Sequence, residues 1–257
     1  ECGALLLAIN DEQYTQLEKI HEKALKNGVK DIQRLNAEEA GKMEPAISRE
    51  VLGGILIPRE SIADPFTASV AFAEVALQNG VDILLGTEVS AFENMDELVK
   101  TIVAQSECRI NAKIIVNVAG LGSEKLVKMY QGEPFDTNPR RGQFLIFDKY
   151  SRSAVKRILL PIPTAQTKGV LVIPTIFGNL MAGPTAEDFS HDDSGITDTV
   201  TDKLQQLLEG ASKLYPGLKN QPPIGLFSGV RSNCTQGSYW IRCNDNHPGV
   251  LTTAGIR

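Results

Sequence analysis

Arginine offers a planar fork of N–H donors that matches a carboxylate or a phosphate. In PRRGQF (139–144) Arg140 and Arg141 stand at the mouth of a strand, and Gly142 behind them allows close approach. In FSGVRS (227–232) Arg231 closes a run of small and apolar residues, where a charge needs a partner. An anion site explains these arginines, and so does a solvated strand end for Arg140 and Arg141 or a structural ion pair for Arg231. GPTAED (183–188) adds Thr185 and Glu187, which could hydrogen-bond a pocket wall or simply belong to a turn. In AKIIVNVAGLGSEKL (112–126) an apolar strand runs into a Gly-bearing turn and a helix, and Gly120 lets a backbone pass close to a ligand. An ordinary βα turn has the same look, because the three-glycine dinucleotide fingerprint is absent.

Other chemistries find less support. His191, Asp192 and Asp193 invite a metal reading, but no matching His or Cys cluster occurs elsewhere, so they read as a solvated loop and no metal site is expected. The four cysteines, Cys2, Cys108, Cys234 and Cys243, form no CxxC pair, which suggests a reducing, cytoplasmic setting without a disulfide framework. His21 lies on an amphipathic helix, His247 precedes Pro248 in a turn, and no GxSxG element accompanies them. A catalytic base is therefore left unassigned. The formal charge of -5 argues against a nucleic-acid or anionic-membrane surface and for a small partner. No apolar run approaches the roughly 20 residues of a spanning helix, and LLLAI has no basic region ahead of it, so the chain reads as soluble. It opens inside a strand without an initiating Met, from which residues upstream are expected.

With 257 residues and 42% hydrophobic content, one large domain or two interleaved ones can each bury a core. GALLLAI (3–9) reads as a strand, followed by a helix with Asn10 as N-cap, Gln13 at the box position and Gly28 as terminator. Tyr14, Leu17, Ile20, Ala24 and Leu25 fall on its apolar face. Asn36 and Glu39 start a second helix that Pro45 ends, and VLGGILI (51–57) is a strand. Asp64, Pro65 and Gly80 punctuate another helix. VDILLGTEVSAFEN predicts two strands broken at Gly86, LVKTIVAQ and CRINA a hairpin, KIIVNVAG an apolar strand, and 123–130 a helix. From Pro134 onward RGQFLIFD, RILLPI, GVLVIP and NLMAGPT predict an antiparallel sheet, and strands return in IGLFSGVRS, YWIRC and GVLTTAG. One helix interrupts it, with Leu204, Leu207, Leu208, Ala211 and Leu214 as its stripe.

In this order, ESIADPFTASVAFAEVALQNGVDILLGTEV, INAKIIVNVAGLGSEKL, PRRGQFLIFD, GVLVIPTIFGNLMAGPTAED, LFSGVRS and GVLTTAGIR resemble the FAD-dependent oxidoreductases of the D-amino-acid-oxidase-like superfamily. The likeness is greatest to anaerobic-type glycerol-3-phosphate dehydrogenase and to L-2-hydroxyglutarate oxidase. It implies α/β and α+β architecture, in which a partial Rossmann-like FAD-binding domain is interleaved with a substrate domain on a large mixed, mainly antiparallel sheet. Residues 1–60 and 135–247 would form the substrate domain, and 61–134 with 248–257 the partial FAD-binding domain. The resemblance places Val89, Ala119, Gly120, Gly255, Ile256 and Arg257 near the cofactor, and Arg141, Arg231 and Gln143 near a small anionic substrate.

The departures are as informative. The family's opening GxGxxG unit does not occur, the helix expected after Gly255 is missing, and Ser232-Asn233 stands where relatives often carry Pro. FAD is thus expected in the intact protein and absent from, or weakly held by, this chain alone. The resemblance implies hydride transfer from a glycerol phosphate or 2-hydroxy acid to flavin, in an intact protein that is cytoplasmic or peripheral at a membrane. Two alternatives stay open: a catalytically silent domain that binds an anion or a partner, and an amino-acid or amine oxidase of the same superfamily. Strand edges left unpaired by the missing segment would invite self-association.

Overall fold

The computed structural model describes residues 2–98, 100–104, 108–152, 154–164, 168–190, 202–235 and 239–255. In chain order the elements are β1 (Ala4–Ala8), α1 (Asp11–Lys26), β2 (Gln33–Asn36), α2 (Ala37–Met43), β3 (Gly53–Ile57) and α3 (Pro65–Gln78). There follow β4 (Val89–Glu93), β5 (Lys100–Ala104), β6 (Arg109–Ala112), β7 (Ile115–Asn117), α4 (Ser123–Met129), β8 (Thr137–Phe147) and α5 (Lys149–Arg152). The last are β9 (Ile158–Pro161), β10 (Leu171–Pro174), β11 (Leu180–Gly183), β12 (Glu187–Asp188), α6 (Asp202–Leu214), β13 (Gly225–Cys234), β14 (Trp240–Cys243) and β15 (Val250–Ala254). The fold class is the mixed α/β arrangement that the sequence implies.

The chain divides into two compact units: Glu1–Ala71, Gly142–Ala186 and Thr197–Gly229 form one, and Phe72–Arg141, Glu187–Ile196 and Val230–Arg257 the other. Two of these divisions fall inside the long strands β8 and β13 and one inside α3, whereas the sequence places the boundaries at 60/61, 134/135 and 247/248. A strand of ten or eleven residues is longer than one sheet layer needs, so its two ends can serve different cores.

In the first unit the strand order runs β2-β3-β1-β9-β10-β11-β8. All neighbours are antiparallel except β1 and β9, which run parallel. Both faces of this sheet are covered, which is why ALLLA can be apolar throughout. Leu5 and Leu7 join Phe147, Leu159, Val172 and the α6 residues Leu207, Ala211 and Leu214 in one core. Leu6 and Ala8 point the other way, toward Leu17 of α1, Ile32, Ile55 and Ile162. Gly53 is required where α1 crosses β3, because a Cβ there would meet Leu35 O at 2.7 Å and the Tyr14 ring at 2.8 Å. Caps fix the helix starts. Asn10 Oδ1 accepts from Gln13 N, and Asn36 with Glu39 makes a reciprocal box.

The second unit carries two three-stranded sheets, β14-β15-β7 and β4-β5-β6. Its core gathers Ile115, Val127, Tyr130, Phe135, Cys234, Val250 and Ala254. Trp240 stacks on Phe135, and the Tyr130 hydroxyl meets Thr252 Oγ1 at 2.7 Å.

Some expectations need correction. Residues 81–85 form no strand: Val81, Ile83, Leu84 and Leu85 are exposed, and a strand without a ladder partner has nothing to hold it. QRLN forms the edge strand β2 although only Leu35 is apolar in it, because pairing with β3 outweighs its weak pattern. In α1 the buried stripe is Leu17 flanked by Ile20 and Ala24, while Tyr14 and Leu25 are exposed at its margins. Gln13 Oε1 reaches past the cap to accept from Ile9 N. The hairpin β5–β6 and the helices α3, α4 and α6 form where expected.

Candidate active site

Adjacent residues of a strand face opposite sides, so Arg140 and Arg141 cannot serve one site. Each has its own carboxylate on β12, directly across the ladder: Glu187 opposite Arg141 and Asp188 opposite Arg140. Arg141 Nη2 bonds Glu187 Oε2 at 2.8 Å, with side chains only 4% and 16% exposed. Its guanidinium lies 4.4 Å from the centre of the Phe189 ring. This is a buried, internally neutralised pair, which differs from the solvated strand end that the sequence offered as the alternative for Arg141.

The opposite face is different. Arg140 Nε lies 2.9 Å from Asp188 Oδ1, and its Nη2 donates to Oδ2 at 3.2 Å. Arg231, on β13, is half-buried, and among the described residues it makes no hydrogen bond or ion pair. Burial first, then the neighbouring Arg140 guanidinium, lowers its pKa, while Asp188 works the other way. An arginine so placed stays charged at neutral pH. Asp188 is bonded to Arg140 alone and offsets the Arg231 charge only at a distance, so this face can accept an anion.

Gln143, two residues along β8 from Arg141, is fully buried. Its N–H donates to Thr185 Oγ1 at 3.0 Å, and Thr185 N–H donates back to Gln143 O at 3.1 Å. Both groups are bound into the sheet. Glu187 turns out to be the partner of Arg141 rather than a pocket wall.

Of the expected cofactor residues, Ala119, Gly120 and Gly255 lie at strand ends of one sheet of the second unit, and Val89 opens a strand of its other sheet. β7 and β15 are parallel, with Val250 beside Ile115 and Thr252 beside Asn117, so both strands present their carboxyl ends on the same side. Open α/β sheets bind ligands beyond such ends. Ala119 and Gly120 follow β7, and Gly255 follows β15. Buried Asn117 pins the first turn, its Oδ1 accepting from Ala119 N at 3.3 Å and its Nδ2 donating to Ser123 O at 3.0 Å. Gly120 has φ +58° and no atom within 4 Å of where a Cβ would stand, so a ligand could reach the backbone there. Val89 opens β4, and Glu88 before it is bonded to Lys125 of α4 at 2.9 Å. Hydrogen bonding to Lys125 holds the Glu88 carboxyl below its ordinary pKa. These turns fit a nucleotide cofactor through backbone contacts. Ile256, Arg257 and the His191–Asp193 run lie outside the described residues.

The profile of the FAD dependent oxidoreductase family, DAO, matches residues 1–256. The chain belongs to this family. The chain is 32% identical over 254 residues to a glycerol 3-phosphate dehydrogenase of Caloramator mitchellensis, covering 99% of the chain and 52% of that protein. It is 27% identical to L-2-hydroxyglutarate dehydrogenase of Escherichia coli over 92% of the chain and 56% of the relative. The chain therefore spans about half the length of these two curated relatives. Dithionite-reduced L-alpha-glycerophosphate oxidase of Mycoplasma pneumoniae with FAD bound superposes with a TM-score of 0.89 at 27% identity, over 99% of the chain and 67% of that structure. FAD is the cofactor of the family. Among the described residues no helix is long and apolar enough to cross a membrane.

Sequence reasoning paired Arg141 with Arg231, whereas the structure sets Arg140 beside Arg231. The signal was present in the alternation along RRGQF, since Arg141 shares its face with the buried Pro139 and Gln143. Asp188 could have been found only through the two-residue pairing of β12.

Proposed function

We propose that this chain is the substrate-holding part of an FAD-dependent dehydrogenase that oxidises a small anionic alcohol, a glycerol phosphate or a 2-hydroxy acid. The observation that carries the reading is Arg231, a half-buried guanidinium with Arg140 as its neighbour and no ion-pair partner among the described residues. In this reading Arg231 and Arg140 hold the anionic group, and Arg141 and Gln143 act from within the sheet by fixing β8. Val89, Ala119, Gly120 and Gly255 approach the cofactor. Bound FAD supplies the acceptor for the hydride that leaves the carbinol carbon. The chain's own residues orient the alcohol and hold its charge, and no residue is assigned to take the hydroxyl proton. Four free thiols suit a reducing, cytoplasmic setting.

The test is steady-state turnover of glycerol 3-phosphate and 2-hydroxyglutarate by the protein as its gene encodes it, beside an Arg231→Ala variant. The variant is expected to raise KM for the true substrate by about 30-fold, equivalent to ~2 kcal/mol of lost binding. An unchanged KM removes Arg231 from the site, and a protein that turns over neither compound removes the dehydrogenase reading.

A further inference from the structure

We infer that Asn233 is a specificity-determining residue, its side-chain oxygen accepting a hydrogen bond from a hydroxyl that the anionic substrate carries. The inference rests on Arg231 as the anchor of that anion. Four observations support it. First, β13 alternates, with Ser232 and Cys234 buried on one side, Cys234 within the apolar core around Phe135, so Arg231 and Asn233 share the other side. Second, Asn233 Oδ1 is itself buried and has no hydrogen-bond partner among the described residues. A buried amide oxygen without a partner is costly and uncommon, and one beside a binding residue is suited to receive a donor from the ligand. Third, the nearest cation on the strand does not meet this need, because Arg231 makes no hydrogen bond among the described residues. Fourth, two residues along a strand are about 6.6 Å apart, a span suited to a short molecule with its charge at one end and a hydroxyl toward the other.

The site would therefore select hydroxylated anions over anions of the same charge without a hydroxyl. The site's discrimination is a difference between two affinities and is read best with matched ligands.

Calorimetric titration of the protein as its gene encodes it, with glycerol 3-phosphate and with ethyl phosphate, makes that comparison. The wild type is expected to prefer glycerol 3-phosphate by about five- to tenfold. Asn233→Leu should abolish the preference while changing ethyl phosphate affinity less than about twofold, since only the acceptor is lost. Asn233→Asp keeps an acceptor and adds a negative charge, so it should keep the preference while weakening both ligands. Arg231→Ala should weaken both ligands together. If Arg231→Ala leaves both affinities unchanged, the anion site is refuted and the role of Asn233 falls with it. If Arg231→Ala weakens both but Asn233→Leu keeps the wild-type preference, only the assignment of Asn233 is overturned. Loss of the preference in Asn233→Asp overturns the acceptor role, and a wild type without preference overturns the inference outright.

Discussion

Strands β1 and β7 are made of the same kind of residue and meet opposite fates. β1 sits between β3 and β9, with Leu5, Leu7, Ala4 and Ala8 wholly removed from solvent. β7 pairs with β15 on one edge, has no strand on its other edge among the described residues, and leaves Val116 51% exposed, with Ile114 and Val118 beside it exposed as well. The helices repeat the contrast. α6 buries Leu207, Ala211 and Leu214, whereas α3, with Phe66, Val70, Phe72, Val75 and Leu77 along its length, buries no residue. Apolar composition therefore states a demand for burial, and only neighbouring elements can meet it. A helix that is hydrophobic all round belongs in an interior, so the region from α3 through Leu85, together with β7, is the part of this chain whose demand is unmet among the described residues.

The largest effect that would sharpen this contrast comes from its two extremes. Phe147→Ala empties a fully buried site and should cost about 3–5 kcal/mol in chemical denaturation, whereas Phe72→Ala, at a ring 78% exposed, should stay within about 0.5 kcal/mol. Comparable losses at both positions would mean that α3 is packed in solution. The two carboxylates of β12 offer the next comparison. Glu187→Gln leaves the buried Arg141 charge short of its counterion and should cost about 3 kcal/mol, whereas Asp188→Asn acts at a pair with more exposure and should cost under about 1 kcal/mol. Equal costs would place Arg140 as deep as Arg141. The smallest effect on stability, though not on behaviour, is expected from Val116→Lys. The exposed apolar edge favours self-association as a proposal, and light scattering should show a concentration-dependent mass for the wild type that the lysine reduces. A monodisperse monomer over a wide concentration range would remove that proposal.

Much of this protein was legible in its residues because punctuation is local. Asn10, Asn36, Asp64 and Gly80 bound their helices through bonds within a few residues, and the stripe of α6 identified its buried face. The order of motifs sufficed to indicate the family, its cofactor and a mixed sheet. Tertiary structure alone decided what depends on partners distant in sequence. It paired polar QRLN with β3 and gave residues 81–85 no ladder. It also settled the arginines: a pattern of residue types records that Arg140, Arg141 and Arg231 are cations, but whether a cation is spent on a neighbour or kept for a ligand depends on which carboxylate lies across the ladder. The strand β12, two residues long, gave Glu187 to Arg141 and Asp188 to Arg140, and Arg231 was left on the side where charge is still in excess.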